Sequence, residues 1–214
     1  MGCGQSFVHL VAAAAYRENI LTDNAGFMQL KTKRIIINIS IAVLGLIVIG
    51  NICFQLYRIP TTSMVPSLMP GDYIFANRLV YGLRIPFTHK RILQMQKPRR
   101  GDIAVFRAPG EGRKVYVKRL IATGGERVQL LEGNIYINGK EIVEPAIARN
   151  YYYNQGTYGT GQDGAVVPDK AYFFLGDNSI SSADSRFWGF ASEDDVIGKA
   201  IFIWWPPARI SMIE

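Results

Sequence analysis

Apolar positions fall into two regimes along this chain. From residue 35 to residue 57 they run together as IIINISIAVLGLIVIGNICFQLY, with no charged residue. The polar members Asn38, Ser40, Asn51 and Gln55 lie towards the ends. A helix needs roughly 20 such residues to cross a bilayer, so the run predicts a transmembrane helix over 35–57. A helix apolar on every side is hard to cover inside a soluble domain of this size. A cleaved leader is the nearer competitor. Its apolar core is shorter, however, and Gln55-Leu56-Tyr57-Arg58-Ile59 offers no small-x-small exit. The segment reads as a retained anchor.

Beyond residue 58 the apolar runs are short and bounded by turns. Gly71-Asp72 and Gly101-Asp102 each open a strand-like run, 73–76 and 103–106. Residues 114–121, 127–131, 134–138, 171–175 and 196–205 have the same β-branched and aromatic character. No helical pattern of twelve residues follows the anchor. The fold class is therefore mainly β: one N-terminal transmembrane helix, then an antiparallel β-rich domain over 58–214. Residues 149–168, with Tyr151-Tyr152-Tyr153 and a glycine-rich run, read as a loop.

Charge sets the orientation. Lys31, Lys33 and Arg34 precede the span, and only Arg58 is charged between it and Asp72. The positive-inside rule puts a tail of residues 1–34 in the cytoplasm and 58–214 on the outer side of the membrane. Met28 offers an alternative start, which would make 1–27 a disordered tail or a misplaced beginning. Met1-Gly2-Cys3-Gly4-Gln5-Ser6 fits a myristoylation pattern, though a short one. Across the 214 residues, 24 Lys+Arg against 17 Asp+Glu leave a net charge of +7. The basic clusters at 89–91 and 97–100 are too short for a nucleic-acid footprint. Two cysteines and two histidines exclude a disulfide scaffold and a cysteine- or histidine-built metal site. Neither a metal nor a cofactor is expected.

Two polar segments break the strand pattern. Ile59-Pro60-Thr61-Thr62-Ser63-Met64-Val65-Pro66-Ser67-Leu68 holds a hydroxyl cluster between stiffening prolines. Gly176 to Arg186 is dense in serine and aspartate and lies between two apolar strands. Composition alone reads the first as a polar linker and the second as a long turn, which an Asp184–Arg186 ion pair would fix. Lys118 lies in Val115-Tyr116-Val117-Lys118-Arg119-Leu120-Ile121. Alternation puts Tyr116, Lys118 and Leu120 on one face and Arg119 on the other, so one charge must share an apolar face. An edge lysine reaching solvent is one outcome; a desolvated lysine of lowered pKa, able to act as a general base, is the other. A serine nucleophile needs such a base. His89, in a basic loop without an acidic partner, supports a Ser-His-Asp triad poorly, and a Ser-Lys pair is the available alternative.

At these residues the chain resembles the type I signal peptidase family, of the bacterial or organellar Ser-Lys type. Ser63-Met64-Val65-Pro66-Ser67-Leu68 is similar to its nucleophile box, Arg100 to Phe106 to the following strand box, Tyr116-Val117-Lys118-Arg119 to its lysine box, and Gly176-Asp177-Asn178 through Arg186 to its last box. The resemblance covers the anchor and residues 59–214, with four boxes in order. It implies Ser63 as nucleophile and Lys118 as general base. Ser182 would orient the lysine, and Thr61 and the Ser63 N–H would form the oxyanion hole. Asp184 and Arg186 would give structural support. Ile59, Pro60, Met64, Leu68 and Val117 would wall shallow substrate pockets.

The family often has Arg-Asp-Asn where this chain has Ser179-Ile180-Ser181, which bears on loop packing rather than on the catalytic groups. The implied activity is removal of signal peptides from exported precursors at a membrane surface, after small-x-small. The implied partners are those precursors and the lipid bilayer, not nucleic acid. Three other readings compete: a relative with a dedicated, conjugation-type substrate, a self-cleaving repressor whose DNA-binding part the span replaces, and a non-catalytic membrane-tethered β domain.

Overall fold

The computed structural model describes residues 33–34, 36–47, 50, 53–84, 91–92, 95–110, 112, 114–159, 161 and 163–213. The chain forms two compact units, Met1–Gly50 and Asn51–Glu214. In the first, residues 33–34, 36–47 and 50 are helical. Ile36, Ile37, Ile39, Ile41, Val43, Leu44, Leu46 and Ile47 are all exposed there. Among the described residues, no helix is long and apolar enough to cross a membrane. The sequence readings at residues 1–32, 35, 48–49 and 51–52 lie outside those residues.

The expected helix does not reach residue 57. Phe54–Arg58 is a strand, β1, paired antiparallel with β2 (Tyr73–Asn77) from Phe54↔Asn77 to Arg58↔Tyr73. No charge or proline interrupts the apolar run before this strand, and Gly50 alone does not end it, so composition carried the helix too far. The ladder to β2 satisfies the backbone of 54–58 instead.

Among the described residues, ten more strands complete the two larger sheets. The main sheet runs β1, β2, β13 (Val196–Trp205), β5 (Ile103–Arg107), β6 (Val115–Thr123), β11 (Ala171–Leu175) and β12 (Ala191–Ser192), with β14 (Ser211–Met212) added to β13. A second sheet runs β10 (Ala165–Val166), β7 (Arg127–Leu131), β8 (Asn134–Ile137) and β9 (Lys140–Glu141). The pair β3 (Leu83–Arg84) and β4 (Arg91–Ile92) stands apart. Every pairing is antiparallel. β10 falls inside the segment read as loop; two residues are too few to show a period. The described residues include two one-turn helices, α1 (Pro145–Ala148) and α2 (Ser185–Trp188).

The central strands are buried on both faces. Ile103 and Val105 join Ile59, Met64, Leu68, Ile74 and Ile203 in one cluster, whereas Ala104 and Phe106 join Tyr81, Leu120 and Phe174 in another. A third cluster fills the space around β7 and β8 with Val128, Leu130, Ile135, Ile137 and Phe173. The two Gly-Asp turns hold the layers in register. Gly71 and Gly101 adopt φ of 93° and 88°, a region that strains any residue with a Cβ. Asp72 accepts from the Met69 N–H at 2.8 Å and pairs with Arg209 at 2.8 Å. Asp102 accepts from Tyr81 at 2.8 Å and pairs with Lys199 at 2.6 Å.

Phe106 is fully buried and stacks on Phe174 with ring centroids 4.2 Å apart. Phe106→Ala should cost about 3–5 kcal/mol, read as a lowered denaturant midpoint with an unchanged slope.

Candidate active site

The segment after β1 is a tight turn nailed down by its apolar members. The Ile59 N–H donates to Asp72 O at 2.8 Å and Ile59 O accepts from Gly71 at 2.8 Å. Val65 N–H bonds Thr62 O at 3.1 Å and Leu68 N–H bonds Met64 O at 2.9 Å. Met64 and Leu68 plug the core beneath, at 1% and 0% exposure. Leu68 thus belongs to the core and does not line the cleft above, contrary to expectation; the turn directs its side chain inward. Ser63, between these anchors, is itself buried.

Lys118 sits opposite Ala104 on the adjoining strand β5. Its side chain is desolvated, with 3% of the residue exposed, and its Nζ donates to Ser63 Oγ. Thr61 Oγ1 lies 3.2 Å from the same Ser63 Oγ. Burial lowers the Lys118 pKa to about 8. The carboxylates of Asp184 and Asp177 work against that fall, and the Arg186 guanidinium adds to it. At that value roughly a tenth of the amines are uncharged at pH 7, far more than for an ordinary lysine, which titrates near 10.4.

The last box closes over this pair. After β11 ends, the Asn178 N–H donates to Ser63 O at 3.1 Å and its Nδ2 to Thr62 O at 3.2 Å. Asp184 and Arg186, both fully buried, pair at 2.8 Å, and Arg186 also donates to Ser179 Oγ, Ser179 O and Tyr153 O. Asp184 accepts from the Gly176 N–H at 3.0 Å. Ser182 is buried beside Gly176, but its Oγ has no hydrogen-bond partner; the expected bond to the Lys118 amine is not formed. With Lys118 directed at Ser63, the Ser182 hydroxyl is left over.

A cleft opens above the two side chains. Ile59, Pro60, Thr61, Met64 and Val117 line it, as do Tyr57, Tyr116, Ser181 and Ala183. Its floor includes a strand edge. β11 pairs with β6 only as far as Leu175↔Arg119, so Val115–Lys118 has a strand partner on the β5 side alone among the described residues. Among those residues, no group of three or more His, Cys, Asp or Glu is placed to hold a metal ion.

Sequence reasoning missed the buried pair of Arg119 and Asp177. Arg119 is fully buried and holds both Asp177 oxygens, through Nε at 2.8 Å and Nη2 at 2.7 Å. The signal was present, since alternation already sent Arg119 to the face opposite Lys118. Its partner, far away in sequence, was not identifiable from pattern.

The family described as "Signal peptidase, peptidase S26" matches residues 32–205, and the chain belongs to this family. A "Signal peptidase I T" of Bacillus subtilis (strain 168) is 36% identical over 173 residues, covering 78% of this chain and 82% of that protein. A "Signal peptidase I" of Pseudomonas fluorescens is 29% identical over 199 residues, covering 77% and 70%. The crystal structure of a signal peptidase I from Enterococcus faecalis V583 matches with a TM-score of 0.39 and 32% identity, covering 49% of this chain and 97% of that one.

A Cβ on Gly176 would lie 2.2 Å from Ser182 Oγ and 2.5 Å from Ser63 O. Gly176→Ala should displace the Ser63 turn and lower the turnover number by about 100-fold in a peptidase assay.

Proposed function

We propose that this chain is a membrane-bound serine endopeptidase that removes signal peptides from exported precursor proteins, with Ser63 as nucleophile and Lys118 as general base. The observation that carries this reading is the desolvated Lys118 amine in hydrogen-bond contact with the Ser63 hydroxyl. Membership of the signal peptidase family and the names of its relatives supply the substrate class.

The chemistry follows from the geometry. A precursor segment lies extended in the cleft and borrows backbone hydrogen bonds from the open edge of β6. Neutral Lys118 takes the Ser63 proton as Oγ attacks the scissile carbonyl. The Thr61 hydroxyl and the Ser63 N–H stabilise the oxyanion; losing one such donor typically costs about 3–4 kcal/mol in the transition state. The Lys118 ammonium then gives its proton to the leaving amine, and an ester joins Ser63 to the signal peptide. Lys118 deprotonates a water, the water attacks the ester, and Ser63 leaves with its proton restored. In this reading Ser182 orients the amine during these transfers, although its Oγ has no hydrogen-bond partner in the resting structure. Asp184 and Arg186 hold the last box. Ile59, Pro60, Met64 and Val117 give the cleft apolar walls suited to the small residues before a cleavage point.

The uncharged run over 35–57 and the basic residues before it support a single-pass anchor, with the β domain on the outer side of the membrane. On that reading a precursor reaches the cleft from the outer side of the membrane.

Cleavage of a model secretory precursor by the detergent-solubilised full chain tests the reading. Ser63→Ala and Lys118→Met should each lower the cleavage rate at least about a thousandfold while the unfolding midpoint stays within a few degrees. Full activity in either folded variant rejects the pair. The base works uncharged and its pKa is about 8. The cleavage rate should therefore climb through that pH and level off above it, an ascending limb that a rate profile from pH 6 to 10 records.

A further inference from the structure

One hydroxyl beside the site has every bonding position filled. Ser67 Oγ donates to Asp177 Oδ2, and it accepts from Arg119 Nη2 at 3.1 Å and from Arg149 Nη2 at 2.8 Å. A serine hydroxyl has one proton and two lone pairs, so these three contacts saturate it. They come from three separate parts of the chain: strand β6, the turn after β11, and the end of α1 in the region of the second sheet. The first two lead to the reacting groups. Arg119 is the next residue to Lys118 on β6. Asp177 precedes Asn178, which bonds Ser63 O and Thr62 O. Ser67 itself ends the turn that holds Ser63, one residue before the buried Leu68.

We propose that the Ser67 hydroxyl is the positioning group that sets the Ser63 turn in register against Lys118, by tying that turn to the Arg119–Asp177 pair and, through Arg149, to the end of α1. This rests on the proposed roles of Ser63 and Lys118. β6 carries the base on one face and the anchor of the nucleophile turn on the other, so a rigid tie between turn and anchor fixes the distance between the two reacting atoms. Asp177 and Arg119 alone bind each other whether or not the turn sits correctly. Ser67 is the side chain through which that pair grips the turn. Arg149 is exposed and reaches no reacting group, so its influence on turnover passes through the same hydroxyl. Ser67 touches none of the reacting atoms, and the substrate cleft does not include it.

The test uses the detergent-solubilised full chain and a precursor substrate, with Ser67→Ala, Ser67→Thr, Arg149→Gln and the double variant Ser67→Ala/Arg149→Gln. Ser67→Ala should lower kcat by about 30–100-fold and leave KM within about twofold, because the cleft is intact and only the alignment of the attack is lost. Ser67→Thr keeps the hydroxyl and should restore kcat to within about fivefold of the parent. Arg149→Gln should lower kcat by about threefold to tenfold, and the double variant should fall no further than Ser67→Ala, since both changes act through one oxygen. A parental kcat in folded Ser67→Ala, a loss confined to KM, or losses that multiply in the double variant would each overturn the positioning role. Ser63→Ala in the same assay separates the two levels. If it is inactive while Ser67→Ala is unimpaired, only the role of Ser67 fails; if Ser63→Ala is active, the underlying mechanism fails.

Discussion

Taking an ammonium group out of water is expensive, and the rest of this structure is arranged around one that has been taken out. A protein that buries a lysine has few options: pair it with a carboxylate, or let it lose its proton. Among the described residues no carboxylate is in direct contact with Lys118, and its hydrogen bond goes to a serine hydroxyl instead. The two nearby carboxylates are each occupied by an arginine, Asp177 by Arg119 and Asp184 by Arg186. Each of these pairs is internally neutral, so the carboxylates' pull on Lys118 is partly offset and desolvation prevails. Either carboxylate left free would draw the proton back. Two buried ion pairs of little net worth to stability thus acquire a purpose as the walls of a site that must contain charge without sharing it.

The same pairs explain why the last box is built as it is. Arg186 spends its donors on Asp184, Ser179 and Tyr153, which ties the turn after β11 to the segment carrying Tyr151–Tyr153. The turn is compressed enough that only glycine fits at 176. The departure from the usual family pattern at Ser179-Ile180-Ser181 is absorbed locally. Ser179 is buried and bonded to Arg186 and the Tyr153 N–H, while Ile180 points to solvent.

Much of this was legible from the chain and some was not, for identifiable reasons. The strands at 73–77, 103–107, 127–131, 171–175 and 196–205 announce themselves because short runs rich in β-branched and aromatic residues lie between turn signals. The charge at 118 stood out because alternation left an ionisable group on an apolar face. The end of the apolar run misled: an edge strand such as β1 and a helix can share one composition, and only the ladder to β2 decides between them. β10, β12 and β14 are two residues each, too short for any period. Leu68 was expected in the cleft from the family resemblance, but a turn reverses direction within a few residues and sends it into the core. The Arg119–Asp177 pair joins residues 58 apart and has no local signature.

The open flank of β6 has a further consequence. Main-chain amides and carbonyls are identical in every polypeptide, so a groove that grips its guest through them imposes little preference for side chains. In the proposed mechanism, selectivity then rests on steric exclusion near Ser63 and on where the bilayer delivers the guest. Such an arrangement accommodates a very diverse clientele with a single groove, and it tolerates drift in client sequences so long as the residues nearest the cut stay small.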